Sequence, residues 1–342
     1  MDIPNYRVVE KLGVGAQTRV FRARCMRTGK DYAVKYVKLV NPEDAGFIEL
    51  LKAEYAIGSV IDHPIIRKVF ELRMLRRRLR VHGAILFMEY VDGVPLSDKD
   101  FQRPLDEVLR IFTEVAMGLK AMHDAGFVHA DLKPNNILVT SDDDVKLIDL
   151  GQSAKINRAK PRVQGTIDYM APEQVQREKL DQRTDVFGLG ACLHKMLTGS
   201  PIKTKMNQNL SVSSQGLVGK RVDGGSESTL QELPPAVVRL IEDCCQPDPA
   251  HRIADMPTLA ERFTLARMTL KKSPCAGRLP RVRYTTTLSP MALSRLRISG
   301  KGSSSHNINR AGCSARMSSS ACHCSIVGIA SGSQWTLRPL SW

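Results

Sequence analysis

The last acidic residue of this 342-residue chain is Glu261. Thirteen basic residues follow it, from Arg262 to Arg338, so thirteen of the fifteen net positive charges lie beyond it and residues 1–261 carry only +2. From Ser273 onward hydrophobic periodicity fades and serine runs appear at Ser303–Ser305 and Ser318–Ser320. A segment of that composition buries too little apolar surface to offset the entropy of ordering it. A packed core is therefore expected within residues 1–272, and a basic, Ser-rich, disordered tail over 273–342. The tail's charge would attract a polyanion weakly, but it lacks interleaved aromatics, and a plain solvated extension is the simpler reading. Residues 1–272 are numerous enough to bury a core without covalent staples. Hydrophobic residues at 42% and charged residues at 25% are ordinary globular values, which excludes collagenous, wholly disordered and disulfide-scaffold classes. No apolar run approaches the roughly 20 residues of a membrane helix. The start, with Asp2, Pro4, Asn5 and Arg7, has no apolar leader segment, so a cytoplasmic location is expected. Cys25, Cys192, Cys244 and Cys245 lack metal-ligand spacing and read as buried free thiols. Cys322, His323 and Cys324 are too tightly spaced for a usual structural zinc site.

Within residues 1–272 the pattern runs from strands to helices. Tyr6–Leu12, Arg19–Cys25 and Asp31–Lys38 read as strands, joined by glycine turns. A helix is expected over Pro42–Val60, then strands over Arg67–Met74 and Ala84–Tyr90. Pro104 opens a long helix whose Leu105, Val108, Ile111, Phe112, Val115, Leu119 and Met122 recur at helical spacing, and Gly126 stops it. Short apolar strands follow at Ile137–Val139 and Val145–Ile148. Further helices are expected at Thr184–Leu197, Ala236–Cys245 and Pro257–Thr269. Strands first and helices after, with no repeat, describe an α+β protein in two lobes.

Four stretches carry chemistry. Lys11–Val20 holds Gly13 and Gly15 between two strands, where missing Cβ atoms let backbone N–H groups approach phosphate oxygens. The loop opens no helix and has Thr18 at the third glycine position, so a dinucleotide-binding βαβ unit is excluded. Lys35 sits in the otherwise apolar Tyr32–Lys35 stretch and needs an anionic partner; Glu54, on the expected helix, is suitably placed. Val128–Val139 packs Asp131, Lys133 and Asn136 into six residues ahead of an apolar strand. An acid there can accept a hydroxyl proton, a lysine can neutralise a transferring phosphoryl group, and an amide oxygen can ligate Mg2+. Leu147–Gly151 then presents Asp149, a second oxygen ligand thirteen residues from Asn136, as a hairpin clasping a hard cation would require.

Taken in order, the Gly-rich loop, the Ala-Val-Lys strand, the helix glutamate, His129-Ala130-Asp131-Leu132-Lys133-Pro134-Asn135-Asn136, Asp149-Leu150-Gly151 and Ala171-Pro172-Glu173 resemble the eukaryotic-type protein kinase family over about residues 6–268. Lys133-Pro134 resembles the serine/threonine branch. The resemblance implies a small antiparallel-sheet lobe with one helix over about residues 1–90, a larger mainly helical lobe over about 91–272, and Mg-ATP-dependent transfer to protein Ser/Thr hydroxyls. It implies that Leu12, Gly13, Gly15 and Val20 cover the nucleotide. Ala33 and Leu138 would sandwich the adenine, Met88 would guard the back of the pocket, and Glu89–Val91 would form the hinge. Lys35, paired with Glu54, would hold phosphates, Asp131 would be the catalytic base beside Lys133, and Asn136 and Asp149 would hold Mg2+. Asp185 would brace the catalytic loop, and Glu173 with Arg252 would form a structural ion pair.

The chain departs from the family pattern in four places. Ala130 stands where many kinases carry an arginine that meets a phosphate on the activation segment, and Asp149–Glu173 offers few acceptors. Activity that needs no phosphorylation of that segment is therefore expected. Leu150 replaces the usual phenylalanine, and Thr18 replaces a glycine. Gly58 lies one turn after Glu54, where the family stacks a bulky apolar residue, and a gap that loosens the helix is expected there. Gly58 and Thr18 are the support for an alternative, a catalytically weak, pseudokinase-like nucleotide-binding scaffold.

Overall fold

A computed structural model of the chain describes residues 3–14, 18–41, 44–77, 80–202, 233–272, 281–283, 313–317, 324–328 and 334–336. Five antiparallel strands come first: β1 (Tyr6–Val14), β2 (Thr18–Cys25), β3 (Asp31–Lys38), β4 (Val69–Arg77) and β5 (Arg80–Glu89), in the order β1-β2-β3-β5-β4. Helix α1 (Ala45–Gly58) lies in sequence between β3 and β4. Alternation along the strands sorts two apolar layers. Ala33, Val37, Ala84, Leu86 and Met88 face α1 and pack on Ile48 and Leu51. Val34, Ile85 and Phe87 pack on the opposite face with Ile3 and Ala23. Lys35 shares the parity of Ala33 and Val37, so it stands on the face that looks at α1.

The helical lobe is built on α2 (Leu105–Asp124). Leu105, Val108, Ile111, Phe112, Val115, Leu119 and Met122 are all buried, Asp106 and Glu107 lie in its first turn, and it stops just before Gly126 at φ +84°. Helices α3 (Pro172–Gln176), α4 (Gln182–Thr198), α5 (Pro235–Cys244) and α6 (Met256–Lys272) follow. Phe112 of α2 meets Phe263 of α6 edge to face at 5.8 Å. Helix α4 is buried along most of its length and capped by Asp181, which accepts the Arg183 N–H at 2.8 Å. Among the described residues no helix is long and apolar enough to cross a membrane.

Three features differ from the sequence reading. Strands β4 and β5 run on to Arg77 and back to Arg80, through an arginine-rich stretch that apolar alternation does not mark as strand; β4 is an edge strand, where arginine keeps its ladder partner and its water. Gly58 leaves no gap. A Cβ built on it would lie 2.4 Å from Val69 Cγ2, so Val69 of β4 already occupies the space, with Leu150 beside it. Finally, the chain divides into two compact units, Met1–Thr286 and Thr287–Trp342. Most of the tail expected to be disordered lies outside the described residues. The described parts of residues 273–342 are short strands. Arg281–Arg283 pairs with Gln102–Pro104 and buries Val282 at 3% exposure in the core of the helical lobe, because one alternating apolar residue suffices for a three-residue ladder. In the second unit Cys313–Met317, Cys324–Gly328 and Gln334–Thr336 form an antiparallel sheet, held by backbone pairing that does not depend on composition.

Candidate active site

The loop after strand Phe127–Val128 is held from below by α4. Asp185 accepts the backbone N–H groups of His129 at 2.8 Å and Ala130 at 2.9 Å, and its Oδ2 also meets His123 Nε2 at 2.8 Å. Burial pushes the Asp185 carboxyl up, but His123 and these donors outweigh it and hold it below the usual carboxylate range. The bracing expected from the sequence is therefore present. Ala130 adopts φ +58°, a strained conformation for a residue with a Cβ, and its carbonyl accepts Gln174 Nε2 at 2.9 Å.

Asp131 is 7% exposed and fully bonded. Its Oδ2 accepts Lys133 Nζ at 2.8 Å, and its Oδ1 accepts the N–H and the hydroxyl of Thr166 at 2.9 and 3.0 Å. Lys133 Nζ also reaches the Thr166 hydroxyl at 3.3 Å. Gly165, next to Thr166, sits at φ +130°, a backbone conformation that a residue with a Cβ rarely adopts, and a Cβ there would lie 3.2 Å from the Met170 methyl.

The two oxygen ligands stand at one end of a hairpin. Strands Ile137–Thr140 and Val145–Leu147 pair so that Ile137 faces Leu147, and the Ile148 N–H reaches the Asn136 carbonyl at 2.8 Å. Asn136 and Asp149 thus leave the same end of the ladder. Asn136 Nδ2 donates to the Asp131 carbonyl at 2.9 Å, which commits the amide nitrogen and leaves its oxygen on offer. Asp149 adopts φ +65°, turning the chain sharply out of the strand. No cluster of three or more His, Cys, Asp or Glu suited to a metal occurs among the described residues. Two oxygen donors without a full protein cage fit Mg2+, which keeps waters and takes phosphate oxygens as its other ligands.

Lys35 Nζ bonds Glu54 Oε2 and Asp149 Oδ1, each at 2.8 Å. Burial opposes the ammonium, but the two carboxylates outweigh it and hold the Lys35 pKa above the ordinary lysine value. Burial likewise pushes Asp149 up, while Lys35, then Arg67 and Lys133, pull it below the usual carboxylate range. Arg67 Nη2 stands 3.8 Å from the other oxygen of Glu54, which has no hydrogen-bond partner.

The remaining expected nucleotide residues cluster by register. Val20 pairs with Lys35 and Ala33 with Met88, so all four share the α1-facing side of the sheet. Gly13 pairs with Val20, Leu12 is exposed, and Leu138 and Val91 are half-buried. Gly15 lies outside the described residues. Glu89 is tied into the hinge itself: its N–H donates to the Lys68 carbonyl at 2.8 Å, and its carboxylate holds Lys146 Nζ and the Lys68 N–H. Sequence reasoning singled out neither Arg67, His123 nor Lys160. A lone polar residue in a linker, in the last turn of a helix as His123 is, or in a loop adds nothing to an apolar repeat and so carries no periodic signal.

A family model described as protein kinase domain matches residues 6–264. The serine/threonine-protein kinase PknB of Mycobacterium leprae is 31% identical over 204 residues, 57% of this chain and 33% of that protein. The serine/threonine-protein kinase AtPK2/AtPK19 of Arabidopsis thaliana is 28% identical over 268 residues, 77% of this chain and 54% of that protein. Its AtPK1/AtPK6 counterpart is 31% identical over 206 residues, 59% of this chain and 43% of that protein. The chain therefore spans from a third to about half the length of these relatives.

Proposed function

The chain belongs to the protein kinase domain family, and on that premise we propose that it transfers the γ-phosphate of ATP to serine and threonine hydroxyls of protein substrates. The observation that carries this reading is the Asp131–Lys133–Thr166 triangle, next to the Asn136 and Asp149 oxygens. In this reading Asp131 takes the proton of the attacking hydroxyl. Lys133, already bonded to it, offsets negative charge on the phosphoryl group in flight. Thr166 holds Asp131 in its orientation and lies on the segment that would seat the acceptor. Lys35, kept charged by Glu54, would orient the nucleotide phosphates, and Asn136 with Asp149 would hold Mg2+. When bound, that ion would neutralise phosphate charge during transfer. Val20, Ala33, Met88, Val91 and Leu138 would enclose the base.

The absence of an arginine at position 130 and the bonds that already order Thr166 support activity without activation-segment phosphorylation. Protein treated with phosphatase is expected to retain its rate; a rate that vanishes on treatment and returns on rephosphorylation of that segment would refute this. The scaffold reading loses much of its support, since Val69 fills the space beside Gly58.

The decisive assay is transfer from labelled ATP to a generic basic protein by the full chain, beside Asp131→Asn. A loss of about 10²–10⁴-fold in the variant is expected. Equal rates in the two proteins, or ATP binding without transfer in the wild type, would remove the proposal.

A further inference from the structure

Between Asp149 and Thr166 the chain is held by two short ladders. Ala154–Lys155 pairs with Phe127–Val128, and Arg158–Ala159 pairs with Lys179–Leu180. Lys160 follows the second ladder. It is half-buried, and its ammonium donates to the backbone carbonyl of Gln152, eight residues back, at the start of the same segment. The Gln152 side-chain oxygen and the Ser153 hydroxyl are buried with no hydrogen-bond partner. The Lys160 bond is thus a polar side-chain tether to a stretch whose own polar side chains make none.

The electrostatic setting explains why a lysine is tolerated there. An ammonium leaves water at a high cost unless anions face it. Asp131, from the catalytic loop, and Asp185, from α4, both attract the Lys160 charge. Lys133 and Thr166 share Asp131, and His123 shares Asp185. Burial is the larger effect and brings the Lys160 pKa down to about 8. Ala130, whose backbone N–H donates to Asp185 and which directly precedes Asp131, brings no cationic side chain to this loop.

We propose that Lys160 is a positioning residue for phosphoryl transfer: its ammonium ties the start of the activation segment to its middle, beside Asp131, and does permanently what a phosphate would do through an arginine at position 130. The proposal rests on the reading of the chain as an active kinase. Asp131 and Thr166 are held in register because the segment between Gln152 and Lys160 is closed by this bond. The tether works in the charged form, so it weakens as pH rises through about 8.

The test uses the full chain as wild type, Lys160→Met and Lys160→Arg. Kinetics are taken from pH 6.5 to 9.5, with hydrogen exchange over residues 150–166 and thermal midpoints at pH 7. Lys160→Met is expected to lose about tenfold or more in kcat, with KM for ATP within about twofold, since displacing reacting groups slightly is enough for such a loss. Exchange across the segment rises in the same variant. Lys160→Arg is expected to restore kcat to within about threefold and to abolish the wild-type alkaline fall near pH 8, because a guanidinium stays charged. Wild-type kcat together with unchanged exchange in Lys160→Met would overturn the proposal, as would an unchanged alkaline limb in Lys160→Arg. If Lys160→Met shows no folding transition, the pH profile of Lys160→Arg decides. If the wild type transfers no phosphate, the kinase reading falls by itself, and the exchange comparison still accepts or rejects the tether.

Discussion

Arg252 shows how strictly a buried charge must be satisfied. Its guanidinium donates twice to Glu173, at 2.8 Å each, and once each to the carbonyls of Arg183, Gln246 and Pro247. All five donors have an acceptor, and Glu173 Oε1 also accepts from Thr184 at 2.9 Å. Removing the cation leaves a carboxylate buried at 4% exposure with little else to hold it. Arg252→Met is therefore expected to lower unfolding free energy by about 3–5 kcal/mol in urea titration. His194 makes a pH prediction. Burial, opposed by the Ser200 carbonyl, lowers its pKa in the folded state. The unfolded chain binds a proton there at about pH 6.5. Stability from this site is then complete above about pH 6.5 and is lost as pH falls toward the folded value. The thermal midpoint of the wild type should fall more steeply from pH 7 to 5 than that of His194→Gln.

Helix α1 owes its position to a glycine rather than to a bulky side chain. Gly58 lets the last turn of the helix close on Val69, and Arg67, two residues before Val69, stands beside Glu54. One short linker therefore fixes both the height of the helix and the charge around its glutamate. The backbone N–H of Arg67 also donates to the Leu147 carbonyl at 3.0 Å, which joins this linker to the strand that leads into Asp149. Gly58→Ala would press a methyl into Val69 and is expected to cost about 1–3 kcal/mol. Adding Val69→Ala should recover part of that cost, so the two changes will be non-additive in a double-mutant cycle. Additive losses would mean that the two residues do not share this space.

The helical lobe closes with a piece of chain that follows its last helix. Val282 is buried in the same core as α2 and α4, and its strand covers the entry into α2 at Gln102–Pro104. A chain ended after residue 272 would expose that part of the core. It is expected to be less stable than one ended after residue 286 by about 1–3 kcal/mol, the value of burying one such side chain. Equal thermal midpoints for the two lengths would show that the strand adds nothing.

Strand and helix order, the buried face of α2 and the chain positions of Lys35, Glu54, Asp131, Asn136 and Asp149 were all legible in one dimension. Periodicity and motif spacing are local properties, and each of these residues lies inside a periodic or motif-bearing run. Short strands such as Gly93–Pro95 and Arg281–Arg283 were not legible, because three residues are too few to show a period. The space beside Gly58 was misread for a related reason: a missing side chain predicts a gap only when nothing from another element enters it, and Val69 does. Arg67 on Glu54, His123 on Asp185 and the attraction of Asp131 and Asp185 for the Lys160 charge depend on approaches between separate segments of the chain. A charge records nothing in the sequence about which anion it will meet. That is settled only when burial removes water and leaves the nearest carboxylate as the remaining partner.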